Sequence, residues 1–268
     1  MPTNYQQKII DFFNSRTAYD SEGRGHPNNA QRLLDYVTVN PGETILDLCT
    51  GTALLAIPAA KIVGQSGSVI GVDMSSVMLS QAEAKTKTEG IKNIQLIEVD
   101  VESIEFAQEQ FDTIFCSSGL VYISDIPGLV AKCFGWLKPG GQLAFTSSVK
   151  GSHLSEVRVR ICQELFNIDL PHIIRPLWTP QKCTKLLQDS GFHNIEIVEH
   201  LFRTEKINPN YPSAKIENEF YPRGNPLIDL SQEQKELLQA EFTKVVDRIV
   251  AESGIWQKSM NLYVKARK

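Results

Sequence analysis

Residues 44–53 read TILDLCTGTA, and this stretch decides the fold. Thr44 to Cys49 is a short apolar run of the kind that a strand buried on both faces requires. Thr50, Gly51, Thr52 and Ala53 follow, small residues that let a backbone approach a ligand closely. A helical pattern then runs over 53–64 and stops at Gly64.

Outward from there the alternation repeats. SVIGVD (68–73) reads as a second strand, followed by a helix over 75–89 that ends at Gly90. IQLIEV (94–99) and FDTIFCS (111–117) read as the third and fourth strands. A helix over 126–137 starts after Asp125, a good N-cap, and the turn Lys138-Pro139-Gly140-Gly141 leads into a fifth strand, QLAFTS (142–147). Apolar strands separated by helices imply a parallel sheet covered on both faces. Upstream, 4–37 reads as two amphipathic helices broken at 20–25, the first carrying Ile9, Phe12 and Phe13, the second Leu33 and Leu34. Downstream, helices are expected over 152–167, 179–191 and 231–252, and strands over 194–202 and 256–266. The reading is one α/β domain over 1–268, with a helical lid at 1–38 and substrate-cap insertions at 148–180 and 203–230.

Composition narrows the function. The net charge of -4 gives no general reason to bind a polyanion, so nucleic acid is not expected as a partner. Five cysteines, an odd number without a CxxC pair, argue against a disulfide framework or zinc cluster and fit a reducing compartment. The five histidines show no HxxxH spacing, so no metal is expected. The opening MPTNYQQKIIDFF has no signal-peptide pattern, and no apolar run approaches the roughly 18 residues of a membrane span. A cytoplasmic monomer or homodimer acting on a small molecule is the expectation.

Three acids close three successive strands: Asp47, Asp73 and Asp100. In a doubly wound sheet these strand ends border one crevice, where the strand order reverses. Asp73, 22 residues after Gly51, suits a ribose diol, because a carboxylate accepts two hydrogen bonds. Asp100 suits an adenine amine, Val101 offers an N–H to the same ring, and Met74 and Val101 suit its faces. Thr52 suits a helix cap.

ILDLCTGTA, VIGVDMSSVMLSQA, VDVESIEF, FDTIFCSSGLVYISD and LKPGGQLAFTS occur in that order over about residues 40–150, and the series resembles the motifs of class I S-adenosylmethionine-dependent methyltransferases. The nearest branch is similar to the ubiquinone/menaquinone and sterol-type enzymes, with AYDSEGRGHP resembling a lid that contains a Tyr-Asp pair. The resemblance implies a Rossmann-like, seven-stranded sheet of order 3-2-1-4-5-7-6 with strand 7 antiparallel. It implies S-adenosylmethionine as cofactor and methyl transfer to an O, N or C nucleophile of a quinone-like or secondary-metabolite acceptor. Asp47 and Gly51 would then shape the methionine end, Asp73 hold the ribose, and Asp100 with Val101 the adenine. Cys116 and Ser117 would lie beside the amino group and the sulfonium, with Tyr19 and His26 closing over them. One departure stands out: where the family reads D-x-G-x-G-x-G, Cys49 and Ala53 replace the outer glycines, and the turn is expected to survive because both are small.

Candidate substrate contacts or bases are His153, His172, Tyr122 and Glu219, and the aromatics Trp178, Phe220, Tyr221 and Trp256 are candidates for a pocket wall. Cys49 and Cys116 read as packing residues, not nucleophiles. A nicotinamide-dependent oxidoreductase would need a G-x-G-x-x-G turn, which residues 47–56 lack. A non-catalytic binding protein on the same fold is the remaining alternative, and a macromolecular acceptor would need an open pocket.

Overall fold

A computed structural model describes residues 2–22, 25–150, 155–206, 220–253 and 256–268. Seven strands form one sheet: β1 (Thr44–Leu48), β2 (Ser68–Asp73), β3 (Ile94–Glu98), β4 (Phe111–Cys116), β5 (Leu137–Ser148), β6 (His193–Lys206) and β7 (Trp256–Arg267). Their order is β3-β2-β1-β4-β5-β7-β6, as the resemblance implied. All neighbours are parallel except β7, which runs antiparallel to both β5 and β6. The order reverses between β1 and β4, so the crevice opens beyond the C-terminal ends of those strands.

Ile45 to Leu48 are all buried, as a strand covered on both faces demands. One face carries α2 (Gly25–Tyr36) and α3 (Ala56–Val63), which pack Leu33, Leu34, Ile57 and Val63 against Ile45 and Val69. The other carries α5 (Ile126–Trp136) and α7 (Pro180–Asp189), whose Leu129, Trp136 and Leu187 meet Leu46, Ile114 and Phe145. A smaller third core joins α6 (Ser155–Phe166), α8 (Gln232–Ser253) and the 220–230 segment through Ile161, Tyr221, Leu227 and Phe242. The remaining helices are α1 (Asn4–Asn14) and α4 (Ser76–Thr88).

Three local expectations are corrected. The helix after β1 starts at Ala56 rather than 53, because Gly51 and Ala53 take left-handed backbone angles (φ 55° and 60°). Thr52 does not cap it: its hydroxyl donates to Asp20 Oδ1 instead, at 2.5 Å. Gly140-Gly141 do not precede the fifth strand but lie inside it. There β5 bulges, the register jumping from Phe111 opposite Leu137 to Thr113 opposite Gln142.

Candidate functional site

The floor of the site is the loop after β1. Cys49, Gly51 and Ala53 adopt φ of 54°, 55° and 60°, so the two residues that replace glycine keep a glycine-like turn. Non-glycine residues pay about 1–2 kcal/mol each for that conformation. Contacts on all sides impose it. Thr50 N–H donates to Val72 O (2.9 Å), its hydroxyl to Asp47 Oδ2 (2.6 Å), and Gly51 N–H to Asp73 Oδ2 (2.8 Å). The loop after β4 crosses so closely that a Cβ on Gly119 would lie 2.5 Å from the Cβ of Cys49.

Asp73 ends β2, and Ser75 N–H donates to its other oxygen at 2.9 Å. Burial raises its carboxyl above the ordinary range, while the Ser75, Gly51 and Met74 N–H groups oppose the rise. Asp47 is fully buried, and burial pushes its carboxyl up to about 7, with the Asp73 charge adding and the Thr50 bond opposing. The Cys116 thiol beside Cys49, together with burial, holds the Cys49 thiol well above its usual value. A thiol so placed is not a nucleophile at neutral pH.

The roof comes from the N-terminal helices. Tyr5, Ile9, Phe12, Phe13 and Arg16 recur at helical spacing along one face of α1 and its end, and all line a cavity of about 820 Å³ above the floor. The Arg16 guanidinium lies 4.3 Å over the Tyr19 ring and donates to Glu22 Oε2 (2.7 Å). Tyr122 stands edge-on to Phe13 (5.5 Å) and Phe220 (5.6 Å), and Tyr5 donates to the Tyr122 carbonyl at 3.0 Å. Side-chain bonds latch this roof down. Ser75 Oγ donates to Asn14 Oδ1 (2.7 Å), Gln81 Nε2 to the Arg16 carbonyl (3.0 Å), and Lys85 Nζ to Asp20 Oδ2 (2.6 Å). Asn29 rivets α2 to the sheet. Buried completely, it donates to the Ser118 and Thr146 hydroxyls (3.0 Å each) and accepts from Asn261 Nδ2 (2.9 Å) and the Tyr263 hydroxyl (2.7 Å).

Of the residues singled out from sequence, the structure brings Tyr19, His26, Asp47, Gly51, Thr52, Asp73, Met74, Val101, Ser117 and Tyr122 onto this one cavity. Phe220 joins them. Others are corrected. Cys116 ends β4 with its side chain turned down into the core, so Ser117 alone of that pair reaches the cavity. Asp100 does not itself line the cavity: its carboxylate accepts from Gln6 Nε2 (2.6 Å) and Glu102 N–H (3.0 Å), and Gln6 and Val101 form the wall at that point. His172 is buried outside the cavity, its Nδ1 accepting from Ile174 N–H at 3.5 Å. Trp178 and Tyr221 are core residues. His153 and Glu219 lie outside the described residues, as does the side chain of Trp256. Sequence reasoning missed Asn29, Arg16, Lys8 and the Gln6 contact. Their only signal was a polar residue within an amphipathic helix, which ordinarily reads as a solvated face.

No cluster able to hold a metal occurs among the described residues, and no described helix is long and apolar enough to cross a membrane. The cavity fits a charged nucleoside. Asp73 keeps free lone pairs for a diol, Met74, Val99 and Val101 give an apolar slot for a base, and Asp47 with Asp73 provides negative charge for a cation.

Sheet order and site together define a class I, S-adenosylmethionine-dependent methyltransferase. Residues 24–203 match the model of the ubiE/COQ5 methyltransferase family, and the chain belongs to that family. It is 31% identical over 149 residues to the aklanonic acid methyltransferase DauC of Streptomyces sp. strain C5, covering 55% of this chain and 68% of that one. It is 33% identical over 165 residues to the demethylmenaquinone methyltransferase of Lactococcus lactis, covering 60% and 64%. The chain spans about half to two thirds of the length of the curated relatives it matches. The YcgJ protein of Bacillus subtilis shares the fold, with a TM-score of 0.62 at 14% identity over 91% of this chain and 99% of that one.

Proposed function

We propose that this protein methylates a planar, ring-containing small molecule, quinone-like or polyketide in type, that carries an acidic substituent. The observation that carries the reading is the contrast across one cavity: carboxylates on the floor, and aromatic rings with Lys8 and the Arg16–Glu22 pair on the roof. Phe12, Phe13, Tyr122 and Phe220 offer edges and faces to a flat acceptor, and Lys8 Nζ lies 5.3 Å from the Phe220 ring centroid. Relatives named for aklanonic acid and for demethylmenaquinone support the same class.

When bound, S-adenosylmethionine supplies an electrophilic methyl group on a sulfur that leaves as a neutral thioether. We assign Asp73 to the ribose hydroxyls, Met74 and Val101 to the adenine faces, and Asp47, Gly51, Thr52 and Ser117 to the methionine end. The work of the chain is alignment. Holding an acceptor atom in line with the methyl group and shutting out water gives most of the rate, without a covalent intermediate. Tyr19 and Arg16 do the shutting out, latched through Glu22.

The test is incubation of the full chain with methyl-labelled cofactor and a panel of naphthoquinols and aromatic hydroxy acids. Label is expected in a small molecule, and Asp73→Ala should weaken cofactor binding about tenfold or more, through loss of charge-assisted bonds worth roughly 1.5–3 kcal/mol. Tight cofactor binding with no transfer to any acceptor would instead establish a non-catalytic binding protein.

A further inference from the structure

We propose that His26 is the general base that takes the acceptor's proton during methyl transfer. The inference rests on the methyl-transfer reading above and adds to it the residue that handles the proton.

Placement comes first. His26 is the histidine that lines the cavity among the described residues. It sits in the first turn of α2, three residues before Asn29 and four before Ala30, so the three share one helix face. Asn29 Nδ2 reaches the hydroxyls of Ser117 (3.3 Å) and Ser118 (3.0 Å), in the loop after β4. His26 therefore stands one turn further along the face that meets that loop, where Ser117 and Ser118 line the same cavity. Its ring is held between Tyr19 (centroids 5.2 Å apart) and Phe202 (5.4 Å). Phe202 in turn seats on Gly25, where a Cβ would lie only 3.1 Å from the ring. A small residue just before His26 thus lets β6 buttress the imidazole.

The other titratable groups on the cavity have other tasks or unsuitable protonation. Burial raises the phenols of Tyr5, Tyr19 and Tyr122. Glu102 accepts the N–H groups of Ser124 and Asp125, and Glu22 accepts from Arg16. Lys8 is exposed at the rim, and a guanidinium such as that of Arg16 does not deprotonate. Cys49 is held as a thiol, and Asp47 and Asp73 are bonded into the floor.

The proton balance is simple. The acceptor's O–H bond breaks, the proton moves to an imidazole nitrogen, and the oxygen's electron pair forms the new bond to the methyl carbon. The methyl–sulfur bond breaks with its pair remaining on sulfur, and the imidazolium passes its proton to water. A carboxylate acceptor is already ionised at neutral pH and needs no base. That difference separates catalysis by His26 from mere packing.

The experiment compares wild type, His26→Gln and His26→Ala on a hydroxylated aromatic acceptor and on an aromatic carboxylic acid. Profiles of kcat against pH are recorded at saturating cofactor, with S-adenosylhomocysteine affinity measured by calorimetry. Facing the imidazole are Tyr19 and Phe202; Arg16 lies over Tyr19 and pairs with Glu22, and Arg32 donates to the Leu201 carbonyl beside Phe202. Asp47 titrates nearby in pH but acts on cofactor affinity, which saturation removes. Both variants should lose about 100-fold or more in kcat on the hydroxyl acceptor. They should also lose the rise of kcat with pH that deprotonation of a base imposes. At saturating cofactor any loss on the carboxylic acid should be at least about tenfold smaller than on the hydroxyl acceptor, and added imidazole should partly rescue His26→Ala. Equal losses on both acceptors, an unchanged hydroxyl rate, or collapse of S-adenosylhomocysteine binding would overturn the proposal while leaving methyl transfer standing. A wild type that methylates neither acceptor would overturn both.

Discussion

On the floor of the cavity the functional groups are fixed by the main chain: Asp73 by the N–H groups of Gly51 and Ser75, and the Thr50 turn by the carbonyl of Val72. On the roof they are fixed by side chains that reach across the sequence: Asn14 to Ser75, Gln81 to Arg16, Lys85 to Asp20, Gln6 to Asp100. Main-chain bonds follow from strand order and persist with the sheet. Side-chain latches between partly exposed groups are worth less than about 1 kcal/mol each and open independently. The difference teaches that the floor is held by the fold itself, while the roof is held by contacts that can be removed one at a time. Asn29 is where the two regions are joined, and it is the first place to break the comparison.

Asn29→Ala carries the largest expected effect. It strips a buried acceptor from Asn261 and Tyr263 and a donor from Ser118 and Thr146. Each orphaned buried group costs roughly 1–3 kcal/mol, so a loss of about 3–5 kcal/mol is expected in urea denaturation. Gln6→Ala, on a true roof latch, should cost under about 1 kcal/mol. Similar losses from the two would show that roof and floor form one cooperative unit.

Asp47 supplies the next effect, through pH. Its carboxyl is pushed from an ordinary 3.8 up to about 7 in the fold. Between those values the folded chain binds more protons than the unfolded one. Its contribution to stability is therefore greatest at low pH and falls as pH rises from about 4 to about 7. A cationic ligand reverses the preference by favouring the carboxylate. Below about 7, cofactor affinity should thus weaken by up to about tenfold, or about 1.4 kcal/mol, for each unit the pH falls, with a proton released on binding. Calorimetry in two buffers of different ionisation enthalpy measures that proton, and Asp47→Asn should abolish it. Release of no proton at pH 6 would mean the floor carboxylate is already charged in the free protein.

These two residues also mark what the sequence could reveal. Asp47 was legible because it lies near the C-terminal end of an apolar run, and strand ends gather at one edge of a parallel sheet whatever the side chains do elsewhere. The alternation of strands and helices followed from the same periodicity, and the sheet order from the resemblance to class I methyltransferases. Asn29 was not legible, because its partners lie 88 to 234 positions away, and a polar residue in HPNNAQRLLDY reads as helix surface. Asp100 differs for a related reason: strand position places its backbone, but its carboxylate accepts from Gln6 on α1, and Gln6 stands on the cavity wall in its place. His172 failed likewise, since nothing in LPHIIRP distinguishes a cavity wall from a buried turn.

Ala53→Gly sharpens the comparison with the smallest effect. Ala53 is fully buried at φ 60°, in the turn whose family pattern has glycine. Glycine relieves about 1–2 kcal/mol of left-handed strain. It also removes a buried methyl worth about 0.8 kcal/mol and frees the unfolded chain by about 0.4–1 kcal/mol. These terms nearly cancel, so stability should move by less than about 1 kcal/mol and cofactor affinity by less than about threefold. The near-zero result matters because the turn is held from outside, by Asp73, Val72 and Gly119, and not by its own residues' preferences. A gain well above 1 kcal/mol would show instead that the floor stores strain, and that Cys49 and Ala53 persist there in spite of stability.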